Sequence, residues 1–96
     1  MPRRAAKRDA NESHLLALAR TAGAYVIRMH EDQGFDVLLL HRARVLIVEI
    51  KDEKKRPSSR KLTDNEANLQ DICKSRKVPY YVVQSEQELL RLLNEK

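Results

Sequence analysis

The stretch Phe35–Lys51 reads FDVLLLHRARVLIVEIK and holds two apolar runs on either side of a short basic link. The link cannot contain a helix or a crossover, so the two runs have to pair as an antiparallel hairpin. A two-residue loop at Arg42-Ala43 sets His41 against Arg44 and carries the pairing outward until Asp36 faces Glu49. A four-residue loop on the same centre gives the same register. A three-residue loop would throw the two acids onto opposite faces, and the Arg-Ala dipeptide lacks the Gly or Asn that tight two-residue hairpins prefer.

Acids at the ends of the two most apolar segments need an explanation. Burying a carboxylate is costly unless it is paired, hydrogen-bonded or bound to a cation. Residues directly opposite on an antiparallel pair have Cβ atoms ~5 Å apart, where like charges repel. Lys51, two residues beyond Glu49, shares its face. Two carboxylates and an ammonium group therefore converge at one end of the hairpin, an arrangement that a divalent cation relieves. Mg²⁺ takes one or two carboxylates and keeps several waters. The plainer alternative is a pair of solvated strand ends with Lys51 in a surface ion pair. Glu12 is a third acid, on the apolar face of the first helix three and four residues before Leu15 and Leu16. At a helix N-terminus a glutamate also serves simply as a partner of the helix dipole.

The rest of the chain frames the hairpin. Residues 1–10 read as a flexible basic arm, and 11–96 as a single domain. Asn11 is expected to cap a helix that Gly23 ends. AYVIRMH reads as a first strand, and a basic loop, DEKKRPSSRKL, follows the hairpin. TDNE matches a capping box, with Thr63 as N-cap and Glu66 three residues on; it opens a second helix with Leu69, Ile72 and Cys73 inward. PYYVVQ is a fourth strand, and SEQE starts a last helix bearing Leu89, Leu90, Leu92 and Leu93. The order αβββαβα predicts an α/β fold with a mixed sheet flanked by helices. VLIV, apolar throughout, predicts a central strand covered on both faces.

The formal net charge of +5 suits a polyanion, either nucleic acid or an acidic membrane surface. The lone cysteine excludes an internal disulfide and a cysteine-rich zinc site, and fits a reducing intracellular compartment. No apolar run reaches the ~18 residues of a membrane span, and no organic cofactor motif is present.

Asp36, Glu49 and Lys51 resemble the D-(x)n-E-x-K signature of the PD-(D/E)xK nuclease superfamily. GFDVLLLHRARVLIVEIK, the basic loop, KLTDNEANLQ and VPYYVVQSEQEL together are similar to a compact VRR-NUC domain, the small nuclease module found alone in phages and fused within larger DNA-repair enzymes. Archaeal Holliday-junction resolvases are a more distant likeness. The resemblance runs from about Glu12 to Leu90 and implies a restriction-endonuclease-like core. The chain departs from the family in having Phe35 where proline usually precedes the aspartate. It also has Glu66 where many members carry glutamine; the capping box accounts for Glu66 without catalysis, and Gln70, one turn later, is the possible substitute.

The resemblance implies Mg²⁺- or Mn²⁺-dependent hydrolysis of a DNA phosphodiester in a bacterial or phage-infected cytoplasm. Asp36, Glu49 and the Ile50 carbonyl would hold the ion, Lys51 would orient the attacking water or stabilise the phosphate, and Glu12 would hold a metal-bound water or part of a second metal site. Phosphate contacts would come from Arg3, Arg4, Lys7 and Arg8, and from Lys54, Lys55, Arg56, Arg60 and Lys61. Branched DNA cut by a homodimer is the expected substrate and assembly. A catalytically silent DNA-binding module of the same fold and a small basic RNA-binding protein are the alternatives. His14, His30 and His41 have no ligand spacing.

Overall fold

The computed structural model describes residues 11–30, 33–55 and 61–95. Its elements are α1 (Glu12–Thr21), β1 (Tyr25–Arg28), β2 (Val37–His41), β3 (Arg44–Ile50), α2 (Asp64–Ser75), β4 (Tyr80–Val83) and α3 (Glu86–Asn94). This is the αβββαβα order. The strands form one mixed sheet in the order β1-β2-β3-β4. The first three run as an antiparallel meander, and β4 joins β3 in parallel after the α2 crossover.

The hairpin has the two-residue loop. His41 pairs with Arg44, and the ladder continues through Leu39 opposite Leu46 to Val37 opposite Val48. Arg42 and Ala43 both take left-handed backbone angles, φ 53° and 65°. The twist of the flanking strands asks for this geometry whichever residues occupy the loop. The cost is about 1–2 kcal/mol for each residue that carries a Cβ.

Alternation along the strands divides the side chains between two faces. Val37, Leu39, Leu46, Val48, Ile50 and Val83 join Leu15, Leu16 and Ala19 of α1 and Leu89, Leu92 and Leu93 of α3 in one core. Arg44 ties α3 to the hairpin turn, its Nη1 donating to the Leu92 carbonyl at 2.9 Å. The opposite face is covered unevenly. There α2 packs near β4 and the start of β2: Leu69 Cβ would lie 3.1 Å from a Cβ built on Gly34, whose φ is 91°. Towards the hairpin turn, Tyr25, Leu40 and Val45 form a row across three strands, and Tyr25 and Val45 are each 67% exposed. The expectation that VLIV is covered on both sides fails at Val45, because α2 does not reach that end of the sheet.

Helix ends follow the sequence with informative exceptions. After α1, the N–H of Gly23 donates to the Arg20 carbonyl and that of Ala24 to Ala19, with Gly23 at φ 102°. This is a Schellman closure. The end of α2 repeats it, Lys77 donating to Lys74 and Val78 to Cys73, with Lys77 at φ 61° in the glycine position. Asn11 does not cap α1 with its side chain. Its Nδ2 instead donates to the carbonyls of Lys51 (3.3 Å) and Gln84 (3.5 Å), tying the helix start to the ends of β3 and β4. Cys73 is buried as expected, whereas Ile72 and Leu90 are exposed on the outer faces of their helices. Among the described residues no helix is long and apolar enough to cross a membrane.

Candidate active site

Glu49 and Lys51 leave β3 on the face covered by α2, at the end of the sheet away from the hairpin turn. Glu49 is 2% exposed and Lys51 8%. The reading of these groups as solvated strand ends is therefore wrong. Lys51 Nζ lies 2.9 Å from Glu66 Oε1 and 3.4 Å from Glu49 Oε2. Glu66 Oε1 also accepts from the Thr63 N–H at 2.9 Å, while Thr63 Oγ1 accepts from the Glu66 N–H at 3.2 Å. The capping box is thus present, and its glutamate has a second task. One oxygen of Glu66 holds both the helix start and the lysine. Attributing Glu66 to the cap alone missed half of its contacts, because a satisfied capping box gives no sign of what else the same oxygen reaches.

Asp36 sits immediately before β2. Its N–H donates to the Val48 carbonyl at 3.1 Å, although Val48 already faces Val37. Two residues thus oppose one, as in a β-bulge, and the ladder stops before a direct Asp36–Glu49 pair forms. The bulge turns the aspartate along the strand end, where Oδ2 accepts from the Ile50 N–H at 2.7 Å. Ile50 itself packs its side chain in the core. Asp36 remains near enough for its charge to act on Glu49.

The electrostatics of the group follow from this crowding. Burial, a hydrogen bond with Glu66 and the charges of Asp36 and Glu66 push the Glu49 carboxyl up to about 9, against the weaker pull of Lys51. Burial would also raise Glu66, but its hydrogen bonds with Glu49, the Thr63 N–H and Lys51 hold it below the usual carboxylate range. Desolvation opposes the charge on Lys51, yet the hydrogen bond and the charges of Glu66 and Glu49 keep its ammonium form above the ordinary lysine value. At neutral pH the trio is one proton on Glu49, a carboxylate on Glu66 and an ammonium between them. Tyr80, whose hydroxyl donates to the Gly34 carbonyl at 2.7 Å, is raised by burial and by the same carboxylates.

Glu12 is also buried, at 3%, and its Oε2 accepts from Arg28 Nη2 at 3.2 Å. Arg28 pairs across the sheet with Val37, so this ion pair stands at the same end of the sheet as Asp36. Neither the spacing nor the charge pattern of the sequence pointed to Arg28. Gln70 lines a different depression, of about 390 Å³, with Asp71, Lys74 and Tyr80. Lys54, Lys55 and Lys61 are exposed. Lys54 and Lys55 sit in a tight turn directly after Lys51, where Asp52 accepts from both of their N–H groups. Arg3, Arg4, Lys7, Arg8, Arg56 and Arg60 lie outside the described residues. His14 is paired with Glu86 on the surface.

No family model, curated protein or solved structure matches this chain. The likeness to the VRR-NUC nucleases rests on the residues quoted above.

One atom bears directly on a cation. Glu49 Oε1 is buried and has no hydrogen-bond partner. An acceptor left in this way costs ~1–3 kcal/mol, and a cation would offset that cost. Among the described residues, no three His, Cys, Asp or Glu side chains are grouped to hold an ion.

Proposed function

We propose that this protein is a Mg²⁺- or Mn²⁺-dependent deoxyribonuclease of the PD-(D/E)xK type, similar to the VRR-NUC domains, acting inside the cell. The observation that carries the reading is the buried, unpartnered Oε1 of Glu49, on a carboxyl that meets Lys51 through Oε2 and feels the charge of Asp36. Glu49 and Asp36 would hold the ion, with the Ile50 carbonyl as a further ligand. The bound ion would supply Lewis-acid polarisation of the phosphate and a more acidic water.

The chain's own groups have defined tasks in that scheme. Glu49 must give up its proton to solvent to bind a cation. Lys51, kept charged by two carboxylates, brings a positive group to the place where charge builds on the scissile phosphate. Glu12, held by Arg28, would contact a water of the ion's shell. Lys54 and Lys55, fixed directly after Lys51, would take neighbouring phosphates, and Lys61 would do so from the far end of the loop. Such contacts position a backbone without reading bases, so selectivity should follow DNA shape, and branched DNA is the substrate we expect.

Paired cuts across a branch need two sites, and a homodimer is part of the proposal. The row Tyr25–Leu40–Val45, uncharged and uncovered, supports it. A two-fold dimer uses the same patch on both subunits, and this one leaves the Lys51 end of each sheet open.

The deciding experiment compares cleavage of labelled four-way junctions and matched linear duplex with Mg²⁺, with Mn²⁺ and with chelator. Junctions should be cut faster, and chelator should stop the reaction. Metal-independent cleavage, or none on any DNA, would refute the nuclease reading.

A further inference from the structure

The geometry points to Glu66 as the positioning residue for Lys51, an inference that rests on the nuclease reading for its functional consequence. A lysine side chain has four rotatable bonds and a compact charge, so a buried ammonium is located only by the acceptors around it. Here the shorter contact is to Glu66 (2.9 Å), not to Glu49 (3.4 Å). Glu66 Oε1 is itself fixed from the other side by the Thr63 N–H. The helix start therefore acts as a rigid bracket: backbone fixes carboxylate, and carboxylate fixes ammonium.

The bracket also divides the work between the two glutamates. Because Glu66 holds the ammonium, Lys51 approaches Glu49 only at Oε2, and Oε1 stays clear. Without Glu66, the nearest carboxylate for Lys51 is Glu49, and the lysine would settle on the group proposed to bind the ion. Lys51 and Thr63 flank residues 52–62 in the sequence, and Glu66 Oε1 accepts from both.

The test uses three variants of the full chain and two readouts. Glu66→Ala removes the bracket. Glu66→Gln keeps an oxygen that accepts from both Thr63 and Lys51. Thr63→Ala removes the other half of the cap but leaves the Thr63 N–H and Glu66 in place. The first readout is the ¹⁵N-ammonium resonance of Lys51, assigned by its loss in Lys51→Arg. It should be visible in the wild type, Thr63→Ala and Glu66→Gln, and broadened away in Glu66→Ala. The second is cleavage: a displacement of ~1 Å at a reacting group costs about 100-fold in rate. Glu66→Ala should therefore lose about that factor in kcat at unchanged KM, with most of the loss rescued in Glu66→Gln and none in Thr63→Ala. An equally sharp Lys51 resonance in Glu66→Ala would overturn the positioning role, as would a Glu66→Gln variant no better than alanine. A wild type that orders Lys51 through Glu66 but cuts no DNA would confirm the bracket and refute the nuclease reading.

Discussion

The raised carboxyl of Glu49 makes the proposed cation binding measurable before any DNA is added. The ordinary carboxyl value is 4.5, and burial with neighbouring acids raises Glu49 to about 9. A cation needs the ionised form. At pH 7 ionisation costs roughly two pH units, or about 3 kcal/mol, which the incoming charge must supply. Each ion bound therefore releases one proton from Glu49 into the buffer. The apparent affinity for Mn²⁺ should rise about tenfold per pH unit between roughly pH 6 and 8, because the proton count sets the slope. Calorimetric titrations in buffers of different ionisation enthalpy read that proton directly. The sign reverses for the metal-free protein. A group raised in the folded state contributes stability below its unfolded value and loses it as pH rises through the folded one. Without cation, the melting temperature should fall between about pH 5 and pH 9; with saturating Mn²⁺ that fall should disappear, because the ion-bound and the unfolded states then both carry an ionised Glu49. Glu49→Gln should remove both the fall and its cancellation by Mn²⁺. Mn²⁺ binding that releases no proton and shows no pH dependence would refute the assignment of the ion to Glu49.

Other substitutions probe the remaining parts. Lys51→Ala should abolish cleavage while DNA affinity stays within a few-fold, measured by fluorescence anisotropy, since one lysine is a small share of a multi-phosphate footprint. Replacing Lys54 and Lys55 by Ala should weaken binding and flatten its log–log salt dependence by roughly one unit per lost contact; an unchanged slope would remove the turn from the DNA interface. Lys77→Gly, at the left-handed close of α2, should stabilise the fold by about 1 kcal/mol in thermal melts. Gly34→Ala should destabilise it by about 1–3 kcal/mol, since its positive φ and the close approach of Leu69 oppose a Cβ together.

Local chemistry carried much of the fold. The brevity of the link between two apolar runs left hardly any choice but the observed hairpin, and Thr63 and Gly23 mark helix ends that the structure reproduces. What escaped was decided by side chains meeting from distant parts of the chain. Asn11 has the residue type of a cap, yet it bonds to the Lys51 and Gln84 carbonyls, because the ends of β3 and β4 are within its reach. Val45 looks like a core residue until the placement of α2, near β4 and the start of β2, leaves it uncovered. In the site, the meeting of Glu49 and Lys51 was legible from the period of the strand. The bulge at Asp36 was not, since a redirected N–H leaves no mark in composition. Glu66 was hidden by a motif that already explained it.

The turn at Arg42 and Ala43 has a consequence for how the chain reaches this state. Residues with side chains resist the left-handed angles, so the hairpin is a poor nucleus, and local preference does not choose its register. The choice falls to long-range collapse, when α1 and α3 close over Val37, Leu39, Leu46 and Val48. A slip of one residue would turn those four side chains to the opposite face. Folding should therefore be slow for a chain of this size, because loop closure has to precede the contacts that reward it. Core positions on the α1–α3 side should carry high φ-values in folding kinetics, and the turn low ones. The alignment of Glu49 and Lys51 is thus selected by packing on the side of the sheet they do not face.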